Sequence, residues 1–141
     1  MVSIEQLQKI NTPIEQVYAA LVTEEGLGNI WTTSLSVSEE AGAINSFYFG
    51  GQDHVVMKVT ELTPNQKISW ECLKSEAEPE WIGTTVTFHL RQQANQTIVE
   101  FSHLGWKSVT SCYRYCNHNW AMFLLSLKQY CELGQGNPYQ A

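Results

Sequence analysis

The sequence predicts an α+β domain in which a curved antiparallel β-sheet wraps a long C-terminal helix, with two short helices after the first strand. Three observations carry this. Tyr113, Cys116, Trp120, Phe123, Leu124, Leu127, Tyr130 and Cys131 recur at helical spacing over residues 113–133, the pattern of an amphipathic helix. From Thr33 to Trp106 the apolar period is two instead, the pattern of half-buried strands. The turns between those strands are short, which makes sequential neighbours antiparallel.

Residues 2–10 read as the first strand. Asn11-Thr12-Pro13 then starts a helix over 13–22, with Asn11 or Thr12 as cap and Pro13 in the first turn. Its apolar stripe is Ile14, Val17, Tyr18, Leu21 and Val22. Thr23-Glu24-Glu25 opens a second short helix, which Gly26 and Gly28 are expected to break just before Trp31.

Six strands follow. Their inward residues are read as Leu35 and Val37, Phe47 and Phe49, then Val55, Met57 and Val59. Ile68, Trp70 and Cys72 come next, followed by Val86, Phe88 and Leu90, and finally Val99, Phe101 and His103. Thr63-Pro64-Asn65-Gln66 is a hairpin turn, and residues 74–80 form a charged loop. The long helix ends before Gly134, where a left-handed cap favours glycine. Its aromatic stripe needs a large concave cover, and the sheet is the element able to supply one.

The totals bound the function. The chain has 141 residues, the length of one domain over 1–141 with a real core. Hydrophobic residues make up 43% and charged ones 16%, ordinary globular values. The net charge is −6 with no Lys/Arg cluster, which argues against nucleic acid and against an anionic membrane surface. No apolar run reaches the length of a membrane span, and no apolar leader is visible. The expectation is a cytoplasmic protein with reduced thiols. Cys72, Cys112, Cys116 and Cys131 form no CxxC pair. Cys112, Cys116 and His118 lack a fourth ligand at a recognised spacing, so free thiols are preferred to zinc and no metal or cofactor is expected.

His103 shares a strand face with Val99 and Phe101. It is read either as a hydrogen-bonded interior histidine or as a general base for a cyclase- or hydrolase-type reaction; the interior reading is preferred, because no second inward polar group accompanies it. His54 and His89 fall on the solvent side of their strands. The aromatic surplus is the stronger signal. Trp31, Phe47, Phe49, Met57, Trp70, Phe88, Phe101, His103, Trp120, Phe123, Leu124 and Leu127 are the candidate lining of an apolar ligand cavity. Trp81, just after the charged loop, stands where it would guard an entrance or cover the sheet edge.

Several strings in order carry a resemblance. They are INTPIEQVY at 10–18, GNIW at 28–31, VTELTP at 59–64 and ISW at 68–70. GTTVTF follows at 83–88, TIVEFSHLGW at 97–106, and LSLKQYCE at 125–132 with Gly134, Gly136 and Pro138. Together they resemble the helix-grip fold of the START-like, or SRPBCC, superfamily, in the group named after the activator of Hsp90 ATPase, which also holds a calicheamicin-resistance protein. The resemblance implies a cavity between sheet and long helix for a hydrophobic or aromatic small molecule. It also allows a chaperone partner, which the lack of a second binding domain in this sequence weakens. It leaves ligand identity, catalysis and oligomeric state open.

Overall fold

The computed structural model describes residues 1–140. Strand β1 (Val2–Ile10) leads into helices α1 (Ile14–Val22) and α2 (Glu24–Ile30). Strands β2 (Ser34–Ser36), β3 (Ile44–Tyr48), β4 (His54–Thr63) and β5 (Lys67–Ser75) follow. A 3-10 turn, Pro79–Trp81, separates them from β6 (Thr85–Gln93) and β7 (Gln96–Trp106), and α3 (Ser111–Leu133) closes the chain. The seven strands form one sheet in the order β1-β7-β6-β5-β4-β3-β2, every pair antiparallel. Six of the strands are sequential neighbours; β1 alone crosses to pair with β7. This is the predicted α+β helix-grip architecture.

The sheet's apolar face and the α3 stripe form one core that includes Ile4, Val17, Leu27, Met57, Ile68, Trp70, Val86, Phe101, Trp120 and Leu127. Thr110 caps α3 by accepting the Tyr113 N–H, and Gly134 ends it at φ 84°. The latter is left-handed backbone that glycine adopts without cost. Among the described residues, no helix is long and apolar enough to cross a membrane.

Four local readings change. Neither Asn11 nor Thr12 caps α1: Pro13 occupies the capping position and no side chain bonds there. The Asn11 carboxamide oxygen instead accepts from Gln96, and the Thr12 carbonyl from Thr97. Helix α2 runs through both glycines to Ile30 rather than breaking at them. Gly26 is there because a Cβ would overlap the Ala20 carbonyl, so its absence lets α2 pack onto α1. Ser126, which the helical pattern sets off the apolar stripe, is buried, donating to the Ile30 carbonyl and accepting the Asn137 N–H. The C-terminal tail thereby folds back over α2, and Tyr139 bonds the backbone at Trp31 and Thr33. Finally, His54 lies on the outer face as read but is half-buried by stacking on Tyr48, whereas His89 is exposed.

Two register shifts bend β4 against β5. Met57 faces Cys72 while Val56 faces Lys74, so Leu73 is an extra residue on β5. Such a bulge increases local twist and inverts the inward–outward alternation beyond it. Ile68, Trp70 and Cys72 point inward before the bulge, and Ser75 points inward after it.

Candidate functional site

The sequence-predicted aromatics do meet, but mostly with each other. Trp31 follows α2 and is the hub. Its ring centroid lies 4.6 Å from Phe47, 5.2 Å from Phe49, 5.5 Å from Trp120 and 5.5 Å from Phe123. Trp70 stacks beneath it at 6.1 Å. Trp70, Phe88, Phe101 and Trp120 continue the chain of contacts at 5.2, 5.3 and 4.7 Å. Tilted and edge-on rings at these separations are good aromatic packing. Phe47, Met57, Trp70, Phe88, Phe101, Phe123, Leu124 and Leu127 are all buried in this layer. They occupy the space between sheet and helix as close-packed core.

His103 lies within the same layer, fully buried. Its Nδ1 accepts the Trp120 indole N–H at 3.0 Å. A ring with that lone pair engaged carries its proton on Nε2, which sits 2.7 Å from the Thr84 hydroxyl. The hydroxyl accepts from Nε2 and donates to the Trp81 carbonyl. The imidazole is therefore neutral with both nitrogens satisfied, and burial lowers its pKa to about 3. No free lone pair remains on the ring for a general base.

A cavity of about 190 Å³ opens beside this layer, between the β4–β5 end of the sheet, the 3-10 turn and the first turns of α3. Trp31, Phe49, Val55, Trp81 and Trp120 form its apolar wall. Of the sequence candidates, Trp31, Phe49 and Trp120 line it; Phe47, Met57, Trp70, Phe88, Phe101, His103, Phe123, Leu124 and Leu127 do not. Trp81 is buried and lies stacked on Trp120 at 5.4 Å.

The polar lining is Asp53, Ser75, Glu78 and Asn119, with Tyr115 exposed at the mouth. Ser75 is buried, and its hydroxyl has no hydrogen-bond partner among the described residues. Strict alternation along β5 turns Ser75 outward, so only the Leu73 bulge could have identified it. A larger groove of about 530 Å³ lies between α1, α2 and the end of α3. Its lining includes Gln16, Thr23, Glu25 and Asn29 and none of the aromatic candidates.

All four cysteines are free. Cys112 and Cys116 sit one turn apart on α3 with sulfurs 3.8 Å apart. The Cys112 thiol donates to Glu78 Oε2 at 2.7 Å, and the Trp81 indole N–H donates to Cys116 Sγ at 3.1 Å. Burial raises both thiol pKa values; the Glu78 bond raises Cys112 further, while the Trp81 donor opposes the rise at Cys116. His118 is exposed and stands outside this group, whose third member is Glu78.

The model of the family described as "Activator of Hsp90 ATPase homolog 1-like protein" matches residues 11–132. The solution structure of the Aha1 dimer from Colwellia psychrerythraea is 38% identical, with a TM-score of 0.87, covering 96% of this chain and all of that one. A Staphylococcus saprophyticus protein shares the fold at 21% identity and a TM-score of 0.77, over 96% of each chain. CalU16 from Micromonospora echinospora shares it at 18% identity and a TM-score of 0.73, over 96% of this chain and 76% of that one. Among curated proteins none matches the chain.

Proposed function

The chain belongs to the family of Activator of Hsp90 ATPase homolog 1-like proteins, and on that premise we propose that it binds a small aromatic molecule in the cavity beside Trp120. The observation that carries this is the Ser75 hydroxyl, buried, unpartnered and lining an aromatic-walled space. A buried polar group without a partner costs about 1–3 kcal/mol. A ligand that bonds it recovers that cost and stabilises the folded state.

Size and chemistry narrow the ligand. A dry cavity of about 150 Å³ admits benzene, so about 190 Å³ accommodates one ring with a short substituent. Asp53 and Glu78 offer carboxylates and Ser75 a hydroxyl, so the substituent donates hydrogen bonds. Indole faces also favour a cationic group. An arylalkylamine, protonated at neutral pH, fits both requirements; a phenol meets the first alone. Binding rather than catalysis is preferred, because His103 has both nitrogens engaged elsewhere.

The test is a melting series with benzylamine, phenethylamine, aniline and phenol. Mass action requires the melting temperature to rise with concentration of a bound compound. Tryptophan fluorescence should change in parallel, and Ser75→Ala should weaken binding about 10-fold, the worth of one hydrogen bond. A flat melting temperature across the series overturns the proposal.

A second reading concerns a macromolecular partner. Tyr115, Met122, Leu125 and Leu133 are exposed along the outer side of α3, and the 38% identical Colwellia relative is a dimer. We infer that this stripe meets a second copy of the chain. Sedimentation equilibrium should give a dimer that Met122→Glu dissociates. A monomer that instead co-sediments with an Hsp90-type chaperone would assign the stripe to the chaperone partner.

A further inference from the structure

We propose that Glu78, Cys112 and Cys116 form a site for one thiophilic divalent cation of the zinc class, with its fourth coordination position facing the cavity. The site shares Glu78 and the cavity with the proposed aromatic ligand but needs no such ligand to form.

The geometry carries it. The three ligand atoms lie within 4.8 Å of one another. A tetrahedral zinc ion with Zn–S bonds of about 2.3 Å separates two sulfurs by about 3.8 Å. The Cys112 and Cys116 sulfurs are already 3.8 Å apart. The matching sulfur-to-carboxylate edge is about 3.6 Å, against 2.7 Å now between Cys112 and Glu78. That gap is short because a thiol proton bridges it. The Glu78 side chain, on a half-buried loop residue, need retreat by less than about 1 Å when the proton leaves.

The surroundings fit a metal–thiolate. The Trp81 indole N–H points at Cys116 Sγ from 3.1 Å. A donor aimed at sulfur stabilises the thiolate and holds it in place, as outer hydrogen bonds do at metal sites. Two thiolates and one carboxylate are a soft, anionic set that selects zinc-class ions over magnesium or calcium. Glu78 and Cys116 also line the cavity, so water or a donor atom of a small molecule completes the tetrahedron from that side. On binding, the two S–H protons pass to solvent and two metal–sulfur bonds replace them; no oxidation or reduction occurs.

Sequence spacing alone argues against this, since CxxxC with a nearby histidine lacks a recognised ligand pattern. The third ligand comes from a residue 34 positions before Cys112.

The test uses the full chain, reduced and stripped with a chelator, then titrated with Co²⁺ and back-titrated with Zn²⁺. The expected result is one ion per chain, a thiolate-to-cobalt charge-transfer band, and full displacement by Zn²⁺. Cys112→Ser and Cys116→Ser should each weaken Zn²⁺ binding by about 100-fold and diminish the band. Glu78→Gln and Trp81→Phe should each weaken binding about 10-fold and keep the band. Cys131→Ser should match the parent chain. Thermal melts of every variant without metal establish that it is folded; Glu78→Gln, on a loop, tests the site where the core is untouched. The absence of a charge-transfer band, or Zn²⁺ affinity equal in the parent and the Cys112→Ser/Cys116→Ser chain, overturns the proposal. Because no aromatic compound is added, either result leaves the aromatic-ligand reading to its own melting series.

Discussion

The indole of Trp120 separates two regions built from the same residue types. On one side lie Phe101, Phe88, Trp70 and His103, all buried. There each nitrogen of His103 has a partner. On the other side lie Trp31, Phe49 and Trp81 around open space, with the Ser75 hydroxyl unpartnered. Aromatic content does not distinguish them. The difference is the setting of the polar groups: His103 is satisfied within close-packed core, whereas the unpartnered Ser75 hydroxyl faces space that a guest can enter. Buried polar groups in folded proteins are overwhelmingly paired; of the three unpartnered among the described residues, on His54, Ser75 and Trp106, only Ser75 lines this cavity.

Two phenylalanines give the largest test of this contrast. Phe101→Ala, in the packed region, should cost about 3–5 kcal/mol in denaturant melts. Phe49→Ala, half-buried on the cavity wall, removes less buried area and should cost about 1–2 kcal/mol. Affinity for an aromatic amine should fall in Phe49→Ala and hold in the folded fraction of Phe101→Ala. Equal losses of stability would erase the distinction between the two regions.

Leu127→Ala calibrates α3 on the packed side and should cost about 2–5 kcal/mol. Trp120→Ala borders the cavity, yet it also strips His103 Nδ1 of its donor. Its cost should reach the aromatic range of about 3–5 kcal/mol, with ligand affinity lost as well. A variant that keeps affinity while losing stability would remove Trp120 from the site.

Acid should sharpen the packed side. The His103 pKa is about 3 in the folded chain against 6.5 as the ordinary value. Between those values the unfolded chain binds a proton that the folded chain refuses, so stability falls as pH drops from about 6.5 toward 3 and is flat with respect to this group above that window. Glu61 and Glu132, both held below the ordinary 4.5 of a carboxylate by hydrogen bonds, add acid sensitivity only at lower pH. His103→Gln offers an acceptor to Trp120 and a donor to Thr84 but does not titrate. It should flatten the upper part of the pH–stability curve, as read by urea midpoints at successive pH values. An unchanged slope would mean His103 is solvated.

The smallest expected effect is at Ser75. Ser75→Ala removes an unpartnered hydroxyl, so stability without ligand should stay within about 1 kcal/mol or rise. Binding of an aromatic amine, measured by titration, should nonetheless weaken. A stability loss well beyond that would mean the hydroxyl already has a partner.

Much of the fold is legible in residue order because two periods, 3.6 and 2.0, are enforced locally by burial. The α3 stripe, the Gly134 cap, the inward faces of β4 to β7 and the turn at Thr63-Pro64-Asn65-Gln66 all follow from them. Periodicity also brought Phe49 and Trp120 into the candidate set, and the aromatic surplus added Trp31. It names the face on which a side chain lies, and says nothing of whether neighbouring volume fills the space in front of it. Only tertiary packing decided that Phe47, Trp70 and Phe88 fill core while Phe49 borders a cavity. The Leu73 bulge, visible only in the pairing of β4 with β5, turned Ser75 inward against its alternation. Long-range folding set Glu78 beside Cys112 and Thr84 beside His103, and thereby chose the imidazole tautomer. Hydrogen-bond partners separated by tens of residues leave no periodic trace, because they depend on how the sheet curves around the helix.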